Sequence, residues 1–397
     1  MTAEAQKDLK NWLATAAAPI REWSPTPIFD LSTEAGVLAM QALRDSGQVS
    51  TIHDSLEATA QDLHMLQYPH KMDDEADRDA FVAGTMRQGE QFGDWVFFPW
   101  TGQLVHYPGK ENHRALHVFR NQPLVRPDEQ AKLSGVTTAH LGLSVGSVIA
   151  EDVAQASIGD KSILADRARI KPTNLNRMRA TQEHVGMRKT DYMGMVLSGI
   201  DPYREQVHLP DGFGEDVLDS MRANMPDIIF EEMDSLVHKA LAREFARREK
   251  IPLIMVTDLG DIALLDIERY DTEDAIPFGG RLKYAEYQQL LSGKVSPAEL
   301  KRYTVKIVGA RYLTIRMISS TMEVGKTTGG LPQLGDTAAL GSAMATKTAR
   351  AIFLGEPVTS GRHALRPRKI LGLPHQTSVQ EGIQVVSRFA RSLKNPQ

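Results

Sequence analysis

At 397 residues the chain can bury one large core with a smaller unit beside it. Its 46 basic residues against 50 acidic ones leave a net charge of −4, which provides no broad field for nucleic acid or an anionic membrane, so nucleic acid is not an expected partner. Zero cysteines exclude disulfides, an enzyme thioester and CxxC zinc sites. The twelve histidines are scattered and form no HExxH, so no zinc is expected. No apolar run is long enough to span a bilayer and no basic-then-apolar signal pattern opens the chain, which makes a cytoplasmic protein the expectation.

Residues 1–130 read as a separate α+β region. Lys7 to Ala18 has amphipathic helical spacing, and Pro25-Thr26-Pro27 ends it in an extended link. Helical patterns follow over Thr33 to Arg44 and Asp54 to Gln67, and Asp73 to Asp79 reads as a solvated acidic face. In GDWVFFPWTGQLVHYPG, residues 93–109, two aromatic and aliphatic runs flank Trp100-Thr101-Gly102, which predicts a hairpin. Its aromatics suit packing on a core; Pro99 and Pro108 also suit an edge able to take an extended peptide by strand addition.

Thr137 to Lys189 reads as strand, glycine-bearing turn, helix, second strand and polar loop, the start of a nucleotide-binding βαβ unit. Leu141, Leu143 and Val145 alternate into an expected turn at Gly146-Ser147, with a helix from Ser147 to Ser157 stopped by Gly159. Gly142, Ser144 and Gly146 stand where a dinucleotide fingerprint has GxGxxG, and Ser162 to Ala165 is a strand with Asp166 at its C-terminal edge. That edge of a parallel sheet is where ligands bind, with phosphate favoured over the helix N-terminus.

Further helices are expected over Asp191 to Ser198, Gly214 to Ala223 and Val237 to Lys250, and strands over Gln206 to Leu209, Ile228 to Phe230 and Pro252 to Val256. Glu231, Glu232 and Asp234 follow a buried strand, and three acids there are hard to explain as core because burying an unpaired carboxylate is costly. Phe278 to Tyr303 reads as a helical insertion, either closing over substrate or lying on the surface. Leu331 to Phe353 is rich in Gly, Ala and Ser at helical spacing, which suits close packing against a subunit or the sheet.

From Asp166 onward these residues resemble the ThiF/MoeB superfamily of ATP-dependent adenylating enzymes, which includes the ubiquitin-activating enzymes. Their pattern is a GxGGxG turn, LxDxDxVxxSNLNRQ, VGxxK and DxxxDxTDN; this chain has LADRARIKPTNLNR, VGMRK and DIIFEEMDS. The resemblance covers about Arg120 to Leu354. It implies an α/β, Rossmann-like domain over residues 131–365 and a mainly parallel sheet with an antiparallel continuation. The segment from Ser360 holds Arg362, Arg366, Arg368 and Lys369 and then becomes polar, and residues 366–397 read as a C-terminal tail.

The resemblance also assigns roles. Asp166 falls on the acid that takes the ribose hydroxyls, with Ala168 in place of the second acid, and Asn174, Arg177 and Lys189 fall on phosphate contacts. Gly142, Ser144 and Gly146 occupy the nucleotide turn. Asp234 matches the magnesium-linked acid, so ATP and Mg²⁺ are the expected ligands. Phe119-Arg120-Asn121-Gln122 matches a stretch whose arginine enters the partner's site in a homodimer, and Gly329, Gly330 and Gln333 fall near the acyl group. Without an acceptor cysteine the activated carboxylate is attacked directly, as in members that mature ribosomally made peptides of the pantocin A or microcin C7 type. A peptide substrate gripped by the N-terminal region, including one modified on a glutamate side chain, is therefore the expectation. Activation of a ubiquitin-like sulfur carrier, a tRNA-directed cyclase and a catalytically silent nucleotide-binding module remain as alternatives.

Overall fold

A computed structural model describes residues 21–374 and 377–394, with residues 6, 9, 12 and 13 before them. The expected helix at 7–18 lies outside these apart from Leu9, Trp12 and Leu13, which are helical and exposed. No helix among the described residues is long and apolar enough to cross a membrane.

Two sheets organise the chain. The smaller contains β1 (Ile28–Phe29), β2 (Thr51–His53), β3 (Asp94–Phe98) and β4 (Gln103–Tyr107) in the order β1-β3-β4-β2. The hairpin β3–β4 turns at the expected residues, with Gly102 at φ +68°, a value that favours glycine. Its edges are not free: β1 covers β3 and β2 lies parallel to β4. Strand addition onto the hairpin itself is thereby corrected, because both of its outer hydrogen-bonding faces already have partners. Trp95, Phe97 and Leu104 instead pack with Phe29 and Leu43, the latter from the helix Glu34–Asp45 that Thr33 caps through Gly36 N–H. Asp77 is not merely part of a solvated acidic face; it accepts from Lys71 Nζ at 2.8 Å and pairs with the buried His64.

The larger sheet contains β5 (Thr137–Leu141), β6 (Lys161–Ala165), β7 (Glu205–Leu209), β8 (Ile228–Glu231), β9 (Leu253–Asp258), β10 (Ala263–Glu268) and β11 (Gly361–Leu365). Its order is β11-β10-β9-β8-β5-β6-β7, parallel from β9 to β7, with β10 and β11 antiparallel at one end. The chain moves outward from β5 to β6 and β7, then returns to place β8 on the other side. The crevice between β5 and β8 is thus a topological switch point, where loops diverge and leave room for a ligand.

Helices cover both faces. Gly335–Phe353 lies against the sheet rather than offering its small residues to another subunit: Ala338, Ala345 and Ala349 are buried beside Ile254, Val256 and Leu265, and a Cβ at Gly341 would run into Val256. On the opposite face the two helices of the insertion, Tyr284–Leu291 and Pro297–Val308, place Leu290, Tyr303 and Ile307 in the core with Phe245. The insertion is therefore a structural layer, not a surface excursion.

The two sheets are tied together by side chains. Trp23 stacks on His208 at 3.9 Å and donates to Ser198 Oγ, crossing the helix Lys189–Ile200 at Gly194, where a Cβ would collide with both rings. Tyr203 donates to Asp94 at 2.7 Å, and Arg114 pairs with Asp160 and Asp201.

Candidate functional site

The site is built at the C-terminal ends of β5, β6, β8 and β9. β5 stops at Leu141, and Gly142, at φ +92°, turns the chain under β8; a Cβ there would lie 2.6 Å from Glu232 O. The turn is therefore at Gly142 to Ser144, and the helix Val145–Gln155 already contains Gly146 and Ser147. Leu143 and Val145 are buried but lie beyond the strand, which is why their alternation read as its continuation. Gly142 and Ser144 line the crevice; Gly146 packs against Glu232 Cβ in the first helical turn and is not part of its wall.

Asp166 ties the turn to the end of β6. One oxygen accepts from Leu143 N–H at 2.7 Å and the other from Ala168 N–H at 2.7 Å. Lys189 Nζ donates to the first at 3.2 Å, and both side chains are about nine-tenths buried. The expected ribose acid and the expected phosphate lysine thus hold each other, with lone pairs of Asp166 still open.

The loop 166–188 has its own small core of Ile170, Met178, Ala180, Met187 and Tyr192. Ile170 N–H donates to Met187 O and Gly186 N–H donates to Ile170 O, which closes the loop on itself. Asn174 is buried and its Oδ1 accepts from Lys171 N–H at 2.9 Å, so that oxygen shapes the loop rather than being free for ligand. Arg177 projects from the same loop: Nε donates to Ser144 Oγ at 3.1 Å, while Nη1 donates to Thr173 O and Asn176 Oδ1. Partial burial lowers the Arg177 pKa and the fields of Asp234 and Asp258 act the other way; the guanidinium stays charged.

The three acids at the end of β8 divide sharply. Glu231 is fully buried and accepts from Arg243 at 2.7 Å, Lys239 at 3.0 Å and Met233 N–H at 2.9 Å. Burial alone would raise its pKa, but Lys239 and Arg243 hold it below the ordinary value. Arg243 also pairs with Glu268 at 2.9 Å and lies over Phe278 at 3.9 Å. Glu232 folds back onto Val256 N–H, and burial pushes its carboxyl well above the usual range. The three acids therefore do not act as one group: only Asp234 is exposed, and it makes no hydrogen bond or ion pair with the described residues.

Asp258, unassigned by the sequence reading, completes the wall. It ends β9 as Asp166 follows β6, accepts from Leu334 N–H at 3.0 Å and Gly260 N–H at 3.1 Å, and has its pKa pushed up by burial to about 6. The same rule of an acid at a parallel strand's C-terminal edge would have found it. Ser144, Asn174, Arg177, Lys189, Asp234 and Asp258 face one open cavity of about 420 Å³. A smaller one of about 170 Å³ adjoins it through Ser144, Lys189 and Asp234, and contains Gly142 and Asp166. Gln333 lines the larger cavity, whereas Gly329 and Gly330 are exposed outside it. Arg120 is exposed on the turn Phe119–Asn121 and reaches neither cavity within one chain.

Residues 119–260, from before β5 to just beyond β9, match the ThiF family. The chain carries a ThiF family domain. An uncharacterized protein of Mycobacterium tuberculosis (strain CDC 1551 / Oshkosh), MT1398, is 30% identical over 274 residues, covering 69% of this chain; the chain spans 38% of that relative's length. The chain is also similar to solved structures. A tRNA N6-threonylcarbamoyladenosine dehydratase of E. coli in complex with AMP has a TM-score of 0.44 at 19% identity, covering 60% of this chain and 93% of that one. MccB of E. coli with ATP has 0.40 at 15%, covering 72% and 78%. PaaA has 0.44 at 15%, covering 64% and 76%.

Proposed function

We propose that this chain activates a substrate carboxylate with ATP, forming an acyl adenylate that is never transferred to the enzyme. The observation that carries this reading is the convergence of Arg177, Lys189, Asp166 and Asp234 on one crevice at the switch point of the sheet, over the first turn of the helix Val145–Gln155. A carboxylate oxygen attacks the α-phosphorus of ATP, pyrophosphate leaves with the electron pair of the broken P–O bond, and the acyl group ends on AMP. Arg177, fixed by Ser144, and Lys189, fixed by Asp166, present positive charge where negative charge grows on the phosphates, which is electrostatic preorganisation. An incoming nucleophile then attacks the acyl carbon and expels AMP.

Among the described residues no group of three or more His, Asp or Glu side chains is placed as a metal cage. One uncommitted carboxylate beside the phosphate cations suits Mg²⁺, which takes few protein ligands and completes its shell with phosphate oxygens and water. Asp234 would hold it there; when bound it neutralises phosphate charge.

The substrate we favour is a ribosomally made peptide, because the chain has no cysteine to carry an acyl group and has a second sheet tied to the ThiF domain through Trp23, Tyr203 and Arg114. A silent nucleotide-binding module is the second reading, favoured by one observation: the buried ion pair of Asp166 and Lys189 gives both side chains a role within the fold itself. The test is to incubate the protein with Mg²⁺, ATP and peptides encoded by neighbouring genes, in the presence of hydroxylamine. AMP, pyrophosphate and a peptide hydroxamate are expected, with the intact-protein mass unchanged. ADP and phosphate would mean an acyl phosphate instead, a mass gain on the enzyme would end the non-covalent route, and ATP binding without turnover of any peptide or carrier would favour the silent module.

A further inference from the structure

A second concavity, of about 630 Å³, lies between the end of the ThiF domain and the C-terminal segment. Its walls come from separate stretches: Ile262 at the approach to β10, Leu313 to Arg316 at the start of the helix Ile315–Glu323, and Arg366 to Lys369 after β11. Arg316, Arg366, Arg368 and Lys369 line it against one carboxylate, Asp261, which lies 4.0 Å from Arg368. Arg366 sits over the Tyr312 ring at 5.7 Å. Arg366 and the exposed Arg316 and Lys369 have no carboxylate partner among the described residues. In a chain with a net charge of −4, cations gathered from distant segments without counter-ions repel one another and are relieved by an anion.

The rest of the lining fixes the anion's class. Ile262, Leu313 and Ile315 give the groove an apolar floor, as an extended peptide with acidic and apolar side chains requires. Single-stranded RNA would need aromatic faces for its bases. The ring beside the groove, Tyr312, is buried and already has Arg311 at 4.8 Å, Arg362 at 5.3 Å and Arg366 around it. Leu313 also lines the 420 Å³ cavity, so the groove and the proposed ATP site share that side chain as a wall.

We infer that this groove binds an acidic segment of the polypeptide substrate through Arg316, Arg366 and Lys369, with its apolar side chains on Ile262, Leu313 and Ile315. The inference rests on the adenylation reading only for the word substrate; the groove's preference for acidic peptide stands on its own lining. Carboxylate–guanidinium and carboxylate–ammonium contacts give it charge selectivity, and Leu313 marks the direction in which the bound chain continues.

The experiment is fluorescence anisotropy with fluorescein-labelled hexaglutamate as probe. Saturable binding that weakens as salt is raised is expected, with a loss of about tenfold or more for the Arg316→Glu/Lys369→Glu variant. If that variant melts early, the Arg316→Gln/Lys369→Gln pair replaces it, with the same direction of change. Lys110→Glu, on a helix of the N-terminal region, should leave the affinity as it is. Absence of saturable binding, equal weakening by Lys110→Glu, or stronger binding of a hexauridylate of similar charge would overturn the assignment, the last in favour of nucleic acid. Calorimetry of ATP with the unmodified protein separates the two readings. Hexaglutamate binding without ATP binding removes the adenylation reading and leaves the groove, and ATP binding without hexaglutamate binding does the reverse.

Discussion

Arg177 Nε donates to Ser144 Oγ at 3.1 Å, so the arginine proposed to meet phosphate is anchored by the residue that stands where the family turn has a glycine. The departure from the glycine pattern therefore replaces backbone freedom with a side-chain tether. Arg177→Ala is expected to weaken Mg²⁺–ATP binding or turnover by roughly 10² to 10³-fold, the scale of removing one preorganised charge from a phosphate site. Ser144→Ala leaves the charge in place and removes only its anchor, with an expected loss of about tenfold or less. Calorimetric titration of ATP into both variants checks the order; equal losses would mean that Ser144 touches the nucleotide itself.

Asp166 and Lys189 share one buried ion pair, but their remaining partners differ. Asp166→Ala leaves Lys189 charged and unpaired and strips the acceptors from Leu143 and Ala168 N–H, so a destabilisation of about 3–5 kcal/mol is expected. Lys189→Ala leaves Asp166 with both N–H donors, and the cost to folding should be smaller while ATP binding is lost. Denaturant midpoints set beside ATP affinities distinguish the two patterns.

Asp258 gives the site a pH response. Its folded pKa of about 6 lies above the ordinary aspartate value because of burial, so between about pH 4 and pH 6 the folded chain holds a proton that the unfolded chain has released. Its contribution to stability is thus greatest below that window and is lost as pH rises through 6. The melting temperature of Asp258→Asn minus that of the unmodified protein should become more positive between pH 5 and pH 7. A difference that is flat with pH would show that Asp258 ionises normally.

The order of elements was legible because the strands are short apolar runs ending in acids, and the helices between them carry their own stops. What escaped the sequence were distances between segments. Glu231, Glu232 and Asp234 look alike in a row, yet Glu231 is matched by Arg243 from the next helix and Glu232 by the backbone of Val256, neither partner apparent from local spacing. The strands β1 and β2 are too short to show a period, and every residue of β2 is exposed, so the covered edges of the hairpin were not legible either. Asp258 is legible by the rule that finds Asp166, an acid at the end of a parallel strand, and the apolar residues that follow it belong to β10.

Arg243 shows how much of the fold depends on that hidden pairing. It is fully buried between Glu231 and Glu268, and Arg243→Met would leave both carboxylates facing Phe278 with Lys239 as the remaining cation near Glu231. A loss of about 3–5 kcal/mol is expected, enough to unfold a marginally stable domain. The double replacement Arg243→Met and Glu268→Gln keeps Glu231 paired with Lys239, removes the carboxylate that lost its cation, and should recover part of the loss. Thermal melts of the two variants decide this; a single variant as stable as the parent would mean that water reaches the network.

Arg120 supplies the test of subunit sharing. It is exposed and reaches neither cavity of its own chain, while the resemblance places it in a partner's phosphate site. If two subunits complete each other's sites, a heterodimer of Arg120→Ala and Lys189→Ala chains has one site lacking both residues and one with both intact. Random mixing makes about half of the dimers heterodimeric, so about a quarter of the unmodified number of tight ATP sites should appear where each variant alone has none. Calorimetric stoichiometry measures that fraction directly, and sedimentation gives the mass of the species. A monomer by sedimentation, or no tight sites on mixing, would assign Arg120 to the surface of a self-sufficient chain and leave Arg177 and Lys189 as the proposed phosphate cations.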